Sequence, residues 1–404
     1  MAHCFSFASF PKLPKTAILF LFVTYFISNT LYAQKAKQDS LEQVLDKRNL
    51  STGERILTLS RLATHHYFND KREESNKLLD EASQLAEAME DKQYLARILA
   101  IQAMHLCIQG DSTASTMLQS ALDNLDENAD PGTKGYIWYA KGWMESRNER
   151  RTEAVASFIE ALRHYDGSSN INDLRVISSI YIELYSIYGH WKDLDNMEKY
   201  ARLALDNARQ SGNPDGLSSA LYSLGYTFED RFRGNNAQEE FRDSAEYYYK
   251  QSVSTFLEHE DHMTSRNQLS FNALGLANLY SEFYPLSYND TAQRYLDIAL
   301  KEGLKTEHYT VVTGVYGILN EYTQRENRWD DAEHYLNQAV AYQEKNPLPE
   351  LETKIRLMEA LAIVAEKKGD YGAALEYYKQ YLTYYQQRFD NGKNGIRKGI
   401  GSKI

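Results

Sequence analysis

The chain has 404 residues, with 45 Lys and Arg against 56 Asp and Glu, a formal net charge of -11, 43% apolar positions and 12% aromatics. Only 21 Gly and 7 Pro occur, too few for turn-rich sandwiches or barrels, and the 31 Tyr exclude a disordered chain because they bury enough surface to offset ordering entropy. The acidic balance excludes a general nucleic-acid binder, which must gather Lys and Arg on one surface.

At the N-terminus Lys12 and Lys15 precede a short apolar run, Thr16 to Ser28, which gives way to a polar stretch with the small residue Ala33. This pattern predicts a secretory signal peptide over residues 1–33, cleaved after Ala33, and therefore an exported, periplasmic protein. The run is shorter than the ~20 apolar residues of a spanning helix; an uncleaved signal-anchor facing the periplasm is the alternative. Two of the 45 basic residues and none of the 56 acids lie in the segment, so its removal leaves a formal charge of about -13. Cys4 leaves with it. The single remaining thiol, Cys107, sits in an apolar helical pattern and is expected to be a packed small hydrophobe, and no intramolecular disulfide is possible.

After a lead-in over residues 34–53 the chain reads as helix after helix to residue 388, with apolar spacings of three and four. A small residue, then a Leu or aromatic four positions on, then a small residue three further recurs: Ser75/Leu79/Ala82, Ala114/Leu118/Ala121, Ala154/Phe158/Ala161, Ala245/Tyr249/Ser252, Ala292/Leu296/Ala299, Ala332/Leu336/Ala339 and Ala374/Tyr378/Tyr381. A register-shifted copy at Met197, Ala201 and Ala204 completes eight. The steps of 39, 40, 43, 48, 47, 40 and 42 residues give a period near 40. Positions 0, 4 and 7 share one helix face, where small side chains admit a close neighbour. Each such helix is thus predicted to be the second of a pair, its partner preceding it: 56–68, 94–109, 135–147, 176–188, 217–232, 268–284, 310–324 and 352–368. One pair cannot bury both its faces, whereas stacked pairs share a continuous core, so the sequence predicts an all-α superhelical solenoid of about eight helix pairs.

The turns agree. Gly369-Asp370-Tyr371 and Asn327-Arg328-Trp329-Asp330 place a residue suited to the left-handed conformation before an acid able to cap the next helix. Pro131-Gly132, Asn213-Pro214 and Asn346-Pro347-Leu348-Pro349 fall between units. Residues 389–404 are expected to be a flexible basic tail.

These residues resemble the tetratricopeptide repeat. Leu224-Gly225 with Phe228 is similar to that family's first helix, Leu274-Gly275 and Tyr316-Gly317 are partial copies with Asn278 and Asn320 in the aromatic slot, and Gly369-Asp370-Tyr371 with Ala374, Tyr378 and Tyr381 is similar to its turn and second helix. Units near 40 residues depart from the family's 34. The resemblance implies a right-handed α-α superhelix. The layout is also similar to the exported sensory region of Bacteroidetes-type regulatory proteins, in which a membrane helix and a histidine kinase or DNA-binding output domain usually follow. The tail is expected to hold neither, which leaves a free periplasmic relative or a sensory part whose output half is lost or separately encoded.

No catalytic arrangement is legible: there is no Gly-x-Ser-x-Gly, no phosphate loop and no Gly-x-Gly-x-x-Gly. His259 and His262 stand three apart rather than the four of the zinc-protease pattern, with no third ligand in view, so a solvated turn is expected there. Neither an enzyme nor a cofactor or metal is predicted, and function falls to a surface. The resemblance implies that first helices present peptide-contacting side chains, here Tyr139, Trp143 and Arg147 around Gly142, Tyr222, Tyr226 and Glu229 around Gly225, and Asn272 and Tyr280 around Gly275. The expected partner is a protein or peptide, including a membrane-associated signalling partner, with no nucleic acid. The alternatives are a small-molecule-binding or enzymatic repeat protein and an unspecific structural adaptor.

Overall fold

A computed structural model describes residues 38–401, apart from 70, 235–237, 264–266 and 347–350. The predicted signal segment with its cleavage site, Cys4 and the Pro347 to Pro349 turn lie outside the described residues. Among those described, every regular element is a helix.

A short helix, α1 over 38–45, leads into eight pairs. They are α2 (Thr52–Tyr67) with α3 (Arg72–Ala88), α4 (Lys92–Ile108) with α5 (Ala114–Asp123), α6 (Pro131–Arg147) with α7 (Arg151–His164), and α8 (Ile171–His190) with α9 (Leu194–Gln210). Then come α10 (Pro214–Gly234) with α11 (Glu239–Glu258), α12 (Asn267–Phe283) with α13 (Asn289–Lys305), α14 (Tyr309–Arg325) with α15 (Trp329–Lys345), and α16 (Leu351–Lys368) with α17 (Tyr371–Gly401). The first helices match the sequence expectation to within about five residues at each end. The shifted fourth copy is a true second helix, burying Met197, Ala201 and Ala204 on α9.

Among the described residues the pairs fall into two compact units, one running to residue 166 and taking in 259–263, the other running over 167–258 and 267–401. The first holds the pairs from α2 to α7 and the second those from α8 to α17; each is an all-α stack of the tetratricopeptide-like, right-handed solenoid class. In the first unit, Ile56, Leu59 and Ala63 of α2, Leu79 and Ala82 of α3, and Ile98 and Ile101 of α4 form one cluster. In the second, Ala273 and Ala277 of α12 and Leu296 and Ala299 of α13 are closed over by Val311, Val315 and Ile318 of α14. Within each unit the core therefore runs from pair to pair, and the small residues are small because a neighbouring helix lies against them.

Close approach also explains the Leu-Gly positions. A Cβ on Gly225 would stand 2.6 Å from the Tyr249 ring, and one on Gly142 2.8 Å from Phe158. Gly369 (φ +80°) and Asn327 (φ +56°) are left-handed as expected, and Asp370 caps α17 through the Ala373 N–H at 3.0 Å. Asp330 does not cap α15: the helix begins at Trp329 with Arg328 at the cap position and no side-chain cap, so Asp330 is already its second residue, and its exposed carboxylate meets Lys368 Nζ at 2.6 Å. Pro131 and Pro214 open α6 and α10. The segment 389–401, expected as flexible tail, continues helix α17.

Candidate functional site

In the second unit the first helices α10, α12 and α14 lie against one another, and the side chains they do not bury make one face. Its N-terminal half is apolar. Tyr222 of α10 sets its ring 5.0 Å from Phe271 of α12, edge to face, and 5.3 Å from the buried Tyr249 behind it. Phe271 stacks at 6.0 Å on His308, and Leu274 lies over Gly314 of α14, where a Cβ would stand 2.9 Å from its Cδ2. One turn on, Gly317 faces open space. Glycines at both positions keep α14 low beneath this part of the face.

The C-terminal half is charged and cross-linked. Glu229 of α10, buried, accepts hydrogen bonds from Arg233 at 2.8 Å, from the Tyr249 hydroxyl at 2.7 Å and from Asn278 of α12 at 3.0 Å. Arg233 reaches on to both carboxylate oxygens of Glu282 and lies 4.6 Å over the Phe283 ring. Burial pushes the Glu229 carboxyl above its ordinary range, and the hydrogen bonds from Arg233, Tyr249 and Asn278 only partly offset this. For Arg233 burial acts downward, but its bonds to Glu282 and Glu229 hold the guanidinium above its usual value. Arg325 of α14 donates to the Ser281 carbonyl at 3.0 Å, tying the third helix to this half.

The eight side chains predicted from the sequence divide. Tyr222 and Tyr226 are half-buried on this face, and Tyr226 neighbours Asp230 and Lys192. In the first unit Tyr139 is half-buried between Tyr136 and Phe158, and Arg147 is exposed with its guanidinium 4.5 Å over the Trp143 ring. The other four are interior. Trp143 is covered by packing, Glu229 serves the network above, Asn272 donates to Ser218 Oγ at 2.9 Å inside the layer, and the Tyr280 hydroxyl donates to Glu246 at 2.6 Å. The expectation that they present themselves to a peptide does not describe where these side chains stand.

For Asn272 and Tyr280 the reason is rotation. On α10 the outward positions include Tyr222 and Tyr226, three before and one after Gly225; on α12 they are Phe271, Leu274, Asn278 and Glu282, so a rule anchored on Gly275 and copied from α10 lands on the buried side. Sequence reasoning missed Phe271, Leu274, Asn278, Glu282 and Arg233. For the four on α12, their spacing on the side away from Ala273 and Ala277 was the available signal.

Elsewhere the chemistry is quiet. Among the described residues no group of three or more His, Cys, Asp and Glu could hold a metal ion. His259 and His262 are exposed at a short turn. Cys107 is a half-buried free thiol, and burial pushes its pKa up, away from reactivity. No helix among the described residues is long and apolar enough to cross a membrane.

Residues 321–387 match the tetratricopeptide repeat family. No curated protein matches the sequence. Among solved structures, the apo form of RapI is 13% identical with a TM-score of 0.55, over 83% of this chain and 98% of that one. Aspartyl phosphate phosphatase F from Bacillus subtilis is 12% identical with a TM-score of 0.54, over 94% and 96%. The type IV pilus biogenesis factor PilW is 15% identical with a TM-score of 0.43, over 62% and 94%. At these identities the first two likenesses speak for the fold alone. The helix pairs, the small-residue faces and the match over 321–387 together make the chain a tetratricopeptide-like, all-helical repeat protein.

Proposed function

We propose that the chain is a non-enzymatic scaffold that binds a protein or peptide segment on the α10–α12–α14 face, and that it does so after export, in envelope signal sensing or regulation. The observation that carries this reading is the juxtaposition on one face of the Tyr222, Phe271 and Leu274 patch with the Glu229–Arg233–Glu282 network. Aromatic side chains held by their neighbours supply contact area at little further entropy cost, and a guanidinium beside carboxylates supplies charge-assisted bonds that fix orientation. An extended or helical segment with apolar side chains toward one end and mixed charge toward the other fits this face. The export part rests on Lys12, Lys15, the apolar run and Ala33.

The test is a Tyr226→Ala, Phe271→Ala double variant, both positions being partly exposed so that the fold survives. A partner recovered from an envelope extract by the parent is expected to be lost, at least tenfold, with the helical far-UV spectrum unchanged. Equal recovery by the variant, or a metabolite that raises the melting temperature while no macromolecule binds, contradicts the reading.

A further inference from the structure

On the second helices α13 and α15 of the second unit, one stripe is covered by the helix that follows. On α15 the positions 4, 8 and 11 after Ala332 are Leu336, Val340 and Gln343; Leu336 and Gln343 are buried, and Leu336 and Val340 pack with Leu357, Met358 and Leu361 of α16. On α13 Leu296 and Leu300 pack in the same way with Val311 and Val315 of α14. The positions 4, 8 and 11 after Ala374 on α17 carry large apolar side chains in the open, Tyr378 37% exposed, Leu382 61% and Tyr385 44%, and Tyr371 (72%) and Leu375 (56%) extend the same stripe toward the start of the helix. Their spacing of 4, 3, 4 and 3 residues is that of a coiled-coil seam, while the adjacent stripe of Ala374, Tyr377, Tyr381 and Tyr384 packs against α16.

We propose that this stripe is the interface between two copies of the chain, α17 pairing antiparallel with α17 of a second copy. Three observations favour that occupant. First, the stripe is self-complementary: its side chains alternate Tyr and Leu, and about a two-fold axis near Gln380 each layer joins one Leu to one Tyr, Leu375 against Tyr385 of the second copy and Tyr378 against Leu382 of the second copy. A two-fold interface requires a surface that fits itself in this manner. Second, on a chain of net charge -11 the segment 371–388 holds one acid, Glu376, against Lys379 and Arg388, so two copies that repel over most of their surfaces do not repel here. Third, the five side chains would remove on the order of 500 Å² per copy, near the lower bound of specific interfaces.

Sedimentation equilibrium of the exported chain between roughly 1 and 100 μM tests this. The parent is expected to show a monomer–dimer equilibrium in that range, and Leu375→Glu, Leu382→Glu is expected to weaken it at least a hundredfold with the helical spectrum unchanged, since both positions are exposed. The conservative Leu375→Ile, Leu382→Ile variant should still dimerise. A parent that stays monomeric throughout overturns the proposal and assigns the stripe to a different chain; a dimer that survives the double Glu variant overturns it by placing the interface elsewhere.

Discussion

At the scale of single residues, the side chains that matter most are those whose polar atoms are inside. His105 of α4 stacks at 3.8 Å on Tyr67 of α2, whose hydroxyl donates to the His105 carbonyl at 2.9 Å. Burial lowers the imidazole pKa from 6.5 to about 4. The folded state therefore binds fewer protons than the unfolded one between these values, so the contribution is complete above about 6.5 and is lost as the pH falls toward 4. The expected loss is about 3 kcal/mol from this group. Urea unfolding of the parent and of a His105→Gln variant, compared at pH 7 and pH 4.5, checks it: the variant should lose clearly less stability on acidification, and an equal loss would assign the acid sensitivity to other groups. Nothing in the apolar pattern around Leu99 to Gln109 marked His105 as interior, because a histidine there is compatible with either side of the helix. Glu229 was legible only as a polar residue one turn beyond Gly225; that it would be buried depended on Tyr249, Arg233 and Asn278, brought from 20, 4 and 49 residues away.

For the helices themselves, the small-residue triples were the legible signal because they report a neighbour's approach, which is a property of one helix face. Ala299 illustrates it, fully buried where α13 meets the cluster of Ala273, Ala277 and Val311. Ala299→Leu is expected to destabilise by 1–3 kcal/mol through overpacking, whereas Gln293→Leu, at an exposed position of the same helix, should stay within about 0.5 kcal/mol; chemical denaturation of both variants separates them, and equal effects would mean the face is not packed as described. The outward side was harder to read. Buried faces carry a size constraint that leaves a pattern, while the open face of α12 holds Phe271, Leu274, Asn278 and Glu282 with no shared chemistry, and its rotation relative to α10 is decided by which side chains meet Tyr249 and Tyr222. Asp330 shows the same limit at a helix end: α15 starts one residue earlier than a cap at Asp330 would need, which leaves its carboxylate in the first turn, facing Lys368.

Across the molecule, the fold class followed from eight copies at a period near 40, because a repeated unit with two sticky faces can satisfy them only by stacking. The match to the tetratricopeptide family covers 321–387, where the turn residues Asn327 and Gly369 and the triples of α15 and α17 stand nearest the family pattern; the longer middle units, with steps of 48 and 47 residues, drift from it while keeping the packing. The proposed function places a protein or peptide partner on the first-helix face of the second unit. Photocrosslinking in living cells tests it most directly, with a benzophenone amino acid placed at Phe271 on that face and, as the comparison, at Tyr247, which is exposed on second helix α11. The account predicts a discrete crosslinked protein adduct from position 271 and none from 247; no adduct at 271, or the same adduct from both positions, would contradict it.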